Sequence, residues 1–366
     1  MIQCALRNFE ESSETPLDVE HQCEVLSYQY NTNNLVLLLT WHEQQVVAKI
    51  TSSSGHSGKR LRQEIDWYRR ILAERQDILR HCPRYIDSFT LGGNLVLILE
   101  YIPDAFGLRH ALLGGRLLPY EAIEIVGSII AALGHRIGRY GEWEQHCLAA
   151  GIYGRIHTRS MNLRRLLASS RTATDYWSRP ISVNGLAPVS LSDIAKWLYH
   201  IASYLMHTEV GVLGETHGDL HLENIILQGD DGSRFFLVDP NGGIGPIPIY
   251  DLGKLAHSVD GLYDLILSRN VSISCPHPLE VYLDFAEEPH RLYQELNLQF
   301  TDLLRGMTGD EEKFMTLRTQ VRLMCLVHFL CLLPHHYQDR YRFLALLART
   351  VELFHEARAV MAQAPR

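Results

Sequence analysis

The string Thr216-His217-Gly218-Asp219-Leu220-His221-Leu222-Glu223-Asn224, with Asp239 beyond it, carries the side chains of this chain best suited to chemistry. Asp219 offers a carboxylate able to take a proton from an attacking hydroxyl. Asn224 and Asp239 offer hard oxygens of the kind Mg²⁺ prefers. An acid, an amide and a second acid in this order form a minimal set for holding a hydroxyl, a divalent metal and a nucleotide phosphate together. Another reading is open, because His217-x-Asp219-x-His221 on an extended segment could turn imidazole and carboxylate one way, as in a metal hydrolase. It leaves Asn224 and Asp239 without a task. A third, in which these polar residues only hydrogen-bond loop backbone, is available to any loop.

The flanking pattern explains how such residues could converge. From Ser190 to Thr208, Leu191, Ile194, Ala195, Leu198, Ile201, Ala202 and Leu205 recur at the spacing of a helix with one buried face. Ser190 is positioned to cap it, and Asp193 lies at its positive end. Gly211 and Gly214 then release the chain into a loop. Beyond Asn224, Ile225-Ile226-Leu227 and Phe235-Phe236-Leu237-Val238 read as strands around a Gly229-Asp230-Asp231-Gly232 turn. A hairpin brings its ends together, so Asn224 and Asp239 are expected side by side, with Asp219 close by.

Phosphoryl transfer also needs a cation on the phosphates. Val46-Val47-Ala48-Lys49-Ile50 is an apolar strand with one lysine, which must either snorkel from an edge or be buried with a partner. From Lys59 to Arg80, Leu61, Ile65, Tyr68, Ile71 and Leu72 mark one helix face, with Glu64 beside it and able to point at Lys49. Alone, Glu64 could equally be one charge on a solvated helix; the downstream acids favour the pair. Thr51 to Gly58, rich in serine and glycine, reads as a flexible connector between strand and helix. The apolar strand Asn94 to Ile102 then runs into Pro103, and backbone groups of Glu100, Tyr101 and Ile102 are candidates for an adenine edge.

Together, VVAKI, the helix glutamate, the strand leading to EYI, HGDLHLEN and VDP resemble the aminoglycoside phosphotransferase and choline kinase branch of the protein-kinase-like fold, over roughly residues 24 to 266. The resemblance implies an α+β, two-lobed fold. Residues 1–103 would be a small antiparallel-sheet lobe with one main helix. Residues 104–366 would be a larger, mainly helical lobe holding the catalytic loop 216–227 and the metal-binding segment at 239. It further implies ATP and Mg²⁺, with Lys49 on the α and β phosphates, Glu64 bracing it, Asp219 as base, and Asn224 and Asp239 on the metal. His217 would support the catalytic loop, and Asp251, in Tyr250-Asp251-Leu252-Gly253-Lys254-Leu255, would anchor it from beneath.

The longer string from Asp239 through Ser258, with Leu333-Pro334-His335-His336, is similar to small-molecule phosphotransferases of bacterial capsule, lipopolysaccharide and nucleotide-sugar pathways. This implies a sugar-like or sugar-phosphate-like hydroxyl acceptor. Kinases of aminoglycosides or other natural products, AMP transfer and a catalytically silent ATP-binding module stay open on the same scaffold. One departure is plain: Leu26 to Val36, where kinase-like folds carry a glycine-rich turn, contains no glycine. Asn31, Asn33 and Asn34 can still make a turn, and Ser27 or Thr32 can donate to phosphate. His257, His335 and His336 are expected to satisfy core or surface hydrogen bonds.

Composition agrees with a globular enzyme, at 46% hydrophobic and 21% charged residues. A net charge of −8 gives no general attraction to nucleic acid or anionic membrane. Seven scattered cysteines without paired zinc spacing read as the reduced thiols of a cytoplasmic protein. The N-terminus lacks a signal-peptide apolar core, and residues 1–22 are expected to supply in part an extra strand. Leu323 to Pro334 is a dozen-residue apolar run, expected as a core helix rather than a membrane span. Specificity is expected in Gly107 to Val189, with helical patterns from Pro119 to Ile137 and Ser160 to Ala168. The basic residues Arg155, His157, Arg159, Arg164, Arg165 and Arg171 there, with His221 of the loop, are candidates for acceptor binding, although a solvated helix face explains the arginines as well. Oligomeric state is left open.

Overall fold

Side chains alternate along an extended strand, so Lys49 must point away from the face that Val46 and Ala48 occupy. The computed structural model describes residues 24–29, 34–41, 44–169, 175–206, 210–229, 234–245 and 247–363, with backbone alone at 24–29, 34, 203–206, 244 and 363. Contacts divide it into two units: the residues to Gly107 with Asn224–Gly243, and Leu108–Glu223 with the residues from Ile244 onward.

The first unit is built on an antiparallel sheet ordered β1-β2-β3-β5-β4. Its strands are β1 (Glu24–Gln29), β2 (Asn34–Trp41), β3 (Gln44–Ser52), β4 (Tyr85–Leu91) and β5 (Asn94–Glu100). Leu37, Leu39, Val46, Ala48, Val96 and Ile98 form the core on one face. On the other, Lys49 is in register with Leu97 and Thr51 with Leu95, and helix α1 (Gly55–Glu74) packs there through Leu61, Glu64, Ile65, Trp67, Tyr68 and Ile71. The helix starts earlier than its pattern suggested, so the expected connector is partly its first turn. Glycine weakens a helix by about 1 kcal/mol, but buried Gly58 lies against the backbone of Ser52 and Ser53 where no side chain fits. It also stops earlier, at Arg75, with a short α2 (Gln76–Leu79) following; Leu72, expected on the inner face, is 46% exposed.

The first unit is completed by chain that returns late in the sequence. β6 (Phe106–Gly107), β10 (Ile225–Gln228) and β11 (Arg234–Leu237) form a sheet ordered β11-β10-β6. The hairpin is anchored by the Leu237 amide donating to the His81 carbonyl at 2.7 Å and by Phe235 stacked on His81, ring centroids 4.2 Å apart.

In the second unit, α4 (Pro119–Ala132) follows the short α3 (Leu108–Leu113) and ends before Gly134, whose φ of +67° suits a helix terminus. The pattern expected to run to Ile137 therefore stops short, and Arg136–Gly138 is a strand, β7, paired with β9 (Gly211–Leu213) where a loop was expected. The pattern at 160–168 is the end of the long α5 (Glu142–Ser169). Helix α6 (Leu191–Met206) buries Leu191, Ile194, Ala195, Leu198 and Ala202 as expected, while the Leu205 side chain and Thr208 lie outside what the structure describes. The Ser190 hydroxyl accepts from the Asp193 amide at 3.2 Å and donates to the Asp193 carboxylate at 2.7 Å.

The helix α7 (Ile249–Val259) is buried along its whole length; α8 (Tyr263–Leu267) follows. A small sheet of β8 (Ser182–Val183), β12 (Val271–His277) and β13 (Glu280–Phe285) was not foreseen. Three helices close the unit: α9 (Glu287–Thr308), α10 (Glu311–His336) and α11 (Arg340–Gln363). The apolar dozen lies within α10, which packs on α5, α7 and α11. By length and composition α10 could cross a membrane, but 78% of its most apolar stretch is buried inside the protein. Cys82, Cys147, Cys275, Cys325 and Cys331 are free thiols; Cys4, Cys23 and the expected extra strand at 1–22 lie outside the described residues.

Candidate active site

The residues singled out by their chemistry fall into two groups, one in each unit. Lys49, Glu64, Glu100, Tyr101, Ile102, Asn224 and Asp239 belong to the first; His217, Asp219, His221, Asp251 and the arginines of α5 belong to the second.

In the first group, Lys49 Nζ donates to Glu64 Oε1 at 2.6 Å and also to the carboxylate of Asp239. Burial alone would depress the ammonium. The charges of Asp239 and Glu64 and their hydrogen bonds outweigh it and hold Lys49 above the usual lysine range. A lysine so fixed stays cationic and cannot swing away. Asp239 reaches it because the Val238 amide donates to the Asn224 carbonyl at 3.0 Å, extending the hairpin by one step, and because Gly242 lets the chain pass against α1. A Cβ at Gly242 would sit 2.5 Å from the Gln63 carbonyl, one residue from Glu64. Asp239 itself has φ +58°, a left-handed conformation that costs a non-glycine residue about 1 kcal/mol. Its side chain is 41% exposed, whereas Asn224 is buried.

At the end of β5, the Glu100 amide is committed to the Arg84 carbonyl at 2.9 Å, and the Glu100 carboxylate accepts from the Arg84 amide at 3.1 Å. The Glu100 amide is thus occupied, which narrows the candidate adenine contacts to the Glu100 carbonyl and to Tyr101 and Ile102. Ser27 is described by backbone alone, paired with Val36, and Thr32 lies outside the described residues, as do Asn31 and Asn33.

In the second group, three polar residues of α7 face the loop from His217 to Leu222 at helical spacing. Asp251 Oδ2 accepts from the His217 amide at 2.6 Å and Oδ1 from the Gly218 amide at 2.7 Å. Lys254 Nζ lies 2.9 Å from Asp219 Oδ1. Ser258 Oγ accepts from the Leu222 amide at 3.3 Å. Residues i, i+3 and i+7 share one helix face, so a single polar stripe on a buried helix grips the loop from residue 217 to residue 222. Burial pushes the Asp251 carboxyl up to about 7 against the two amides that favour its anion. His217 is fully buried, and its Nδ1 accepts from the Asp219 amide at 3.4 Å, which assigns the ring proton to Nε2. The His221 amide donates to the Asp219 carbonyl at 3.0 Å, tightening the same loop.

Sequence reasoning missed Lys254. Its signal was a lone lysine one turn after Asp251 in an otherwise apolar helix, which needs a buried partner for the same reason as Lys49. Asp219 lies against Lys254, and among the described residues no group of three or more His, Cys, Asp or Glu is arranged to hold a metal ion, so the hydrolase reading gains no support. The basic cluster also divides. Arg155 and Arg159, one turn apart, are half-buried, and the Arg155 guanidinium stacks 4.6 Å from the Tyr250 ring centroid. His157, Arg164 and Arg165 are exposed, and Arg171 lies outside the described residues. Of the lone histidines, His336 Nε2 meets the Tyr263 hydroxyl at 3.3 Å, as expected. Buried His257 packs on Tyr263 and Phe329, with no hydrogen-bond partner for either ring nitrogen among the described residues.

Comparison with known proteins bears on the fold and the family. Among solved structures, a candidate fructosamine-3-kinase from Haemophilus somnus 129PT matches 98% of this chain with 97% of its own, at 15% identity and a TM-score of 0.51. A spectinomycin phosphotransferase, APH(9)-Ia, solved with ADP and spectinomycin, matches 98% of each chain at 11% identity and a TM-score of 0.37. The first likeness is one of fold, the protein-kinase-like combination of an antiparallel sheet with a helical remainder. A search of curated proteins finds no match. The model of the phosphotransferase enzyme family, APH, matches residues 30–292, a span that takes in both groups of site residues, and the chain belongs to that family.

Proposed function

We propose that the chain is a kinase that moves the γ-phosphoryl group of ATP to a hydroxyl of a small, sugar-like metabolite with the help of Mg²⁺. The observation that carries this reading is the shared ammonium of Lys49, bonded to Glu64 and to Asp239, 190 residues away in sequence. A fixed, desolvated cation beside an acid at the end of a hairpin is the arrangement that phosphoryl transfer needs and that a purely structural lysine does not.

In this reading Lys49 holds the α and β phosphates while Glu64 keeps its ammonium aimed. The Glu100 carbonyl and the Ile102 amide offer an acceptor and a donor to the adenine edge. Asn224 and Asp239 fit Mg²⁺, which takes hard oxygens and usually only one or two protein carboxylates, the rest of its shell coming from phosphates and water. When bound, the ion neutralises charge on the phosphate oxygens. Asp219 takes the proton of the acceptor hydroxyl as its oxygen attacks the γ-phosphorus, while the bond from that phosphorus to the β,γ-bridging oxygen breaks and ADP leaves. Lys254 holds that carboxylate in place, and Asp251, through the His217 and Gly218 amides, holds the loop that presents it.

Asp219→Asn tests the assignment. ATP affinity should be retained while turnover falls by about 10²- to 10⁴-fold. Turnover near that of the unaltered protein would remove Asp219 from the mechanism.

A further inference from the structure

The Arg155 guanidinium is half-buried and stacked on Tyr250, yet among the described residues no carboxylate pairs with it. A guanidinium fixed on a ring without a carboxylate partner keeps N–H donors available to an incoming anion, and the ring contact holds its plane in place. Tyr250 and Lys254 are i and i+4 on α7, so they share a face, about 6 Å apart along the helix. The same face that carries Arg155 over Tyr250 therefore carries Asp219 on Lys254, one turn further along. Arg159, four residues after Arg155 on α5, is half-buried on the same side. Cys331 of α10 feels the charges of Arg155, Arg159 and Lys254 together, so all three reach one neighbourhood. The acids there are Asp219, paired with Lys254, and behind the loop Asp251 and Glu215.

We propose that the acceptor carries an oxyanion, phosphate or carboxylate, and that Arg155, supported by Arg159, binds it while Asp219 faces the hydroxyl. The proposal rests on the kinase reading and narrows it. A guanidinium fork matches two oxygens of such a group, and positive charge next to the base repels a polycationic acceptor, which disfavours the aminoglycoside alternative.

The test has one arm that needs no turnover. Inorganic phosphate and acetate are titrated by calorimetry against the protein saturated with ADP and Mg²⁺. The unaltered protein and the exposed-charge control R164Q/R165Q should bind the anion alike, and Arg155→Gln should weaken it by about tenfold or more. The anion bound more tightly tells phosphate from carboxylate. Arg155→Lys, which keeps the charge and loses the fork, should be intermediate and guards against misfolding of the glutamine variant. No anion binding by the unaltered protein, or equal binding by Arg155→Gln, overturns the proposal.

In the second arm, neutral sugars, sugar acids, sugar phosphates and aminoglycosides are offered as acceptors with ATP. Anionic acceptors should be preferred, with Arg155→Gln raising their KM by about 10- to 100-fold and changing kcat less. Preference for neutral or cationic acceptors, unmoved by Arg155→Gln, overturns the anion proposal and leaves the kinase reading standing. Anion binding at Arg155 without transfer to any acceptor would instead be a failure of the kinase reading.

Discussion

Replacing Lys49 by methionine removes the ammonium that Glu64 and Asp239 share, and the cost should fall unequally on the two acids. The Glu64 side chain is only 9% exposed, whereas Asp239 at 41% can be rehydrated in place. Removing one partner of a buried ion pair costs about 3–5 kcal/mol, because the other charge is stranded. Burial already pushes the Glu64 carboxyl above its usual range, with Lys49 opposing. Without the lysine, Glu64 therefore escapes by taking up a proton. The loss should be largest near pH 8, where Glu64 would have to ionise, and smaller near pH 5, where it is protonated at little cost. Because the chain has two units, a single unfolding midpoint is a poor readout. Amide exchange of peptides from Gly55–Glu74 reports this helix directly. Exchange by local opening should accelerate by roughly 10²- to 10³-fold or more near pH 8. Adding Glu64→Gln should recover about half of the loss or more while turnover stays absent. If Lys49→Met leaves the exchange of this helix unchanged at both pH values, the pair does not hold the helix to the strand and the argument is refuted.

Further outcomes follow from the α7 stripe. The folded protein holds the Asp251 proton up to about pH 7, whereas the unfolded chain releases it near the ordinary value of 3.8. This group thus contributes stability that is fully present below about pH 4 and lost as pH rises through about 7. Asp251→Asn cannot titrate, so its deficit against the unaltered protein, read from amide exchange of peptides from Ile249–Val259, should narrow by a few kcal/mol over that window. Its amide nitrogen also opposes a backbone N–H, which leaves a pH-independent cost of about 1–3 kcal/mol and a looser catalytic loop. A deficit that does not change with pH would refute the assigned titration. Ser258→Ala strands the buried Leu222 amide and should cost about 1–2 kcal/mol, read from amide exchange of peptides from Ile249–Val259, with a smaller effect on turnover than Asp219→Asn.

The parts of this site legible in the sequence were those where a polar residue stood against an apolar pattern. Lys49 is conspicuous in Val46–Ile50, and a buried lysine demands an acid, so Glu64 could be named before any coordinates. Asn224 and Asp239 were legible because a hairpin joins its own ends. The α6 cap at Ser190 and Asp193 was legible for the same local reason. What escaped depends on partners far away in sequence. Lys254 reads as an ordinary charge until Asp219 is seen opposite it, and Arg155 is one arginine among several until helix geometry separates it from Arg164 and Arg165. Helix α5 runs 28 residues, and its buried stripe of Leu148, Ile152, Ile156, Leu163 and Leu167 is narrow and interrupted by Ser160, so only its end was noticed. The start of α1 was hidden by Gly55 and Gly58, residues that normally weaken helices, of which Gly58 here lets the helix lie against the backbone of Ser52 and Ser53. That the 224–243 hairpin groups with the early sheet is a matter of tertiary contacts such as Leu237 with His81, which no local pattern encodes.

The central claim is transfer of the γ-phosphoryl group, and label transfer tests it most directly. The protein is incubated with Mg²⁺ and ATP labelled at either the γ or the α phosphorus, together with sugars, sugar acids, sugar phosphates, amino alcohols, nucleosides and aminoglycosides, and products are weighed by mass spectrometry. The account predicts γ-label, and no α-label, on a small acceptor, abolished by Asp219→Asn. Label from the α position would show AMP transfer, and ATP binding with no labelled product from any acceptor would show a silent binding module; either result contradicts the account.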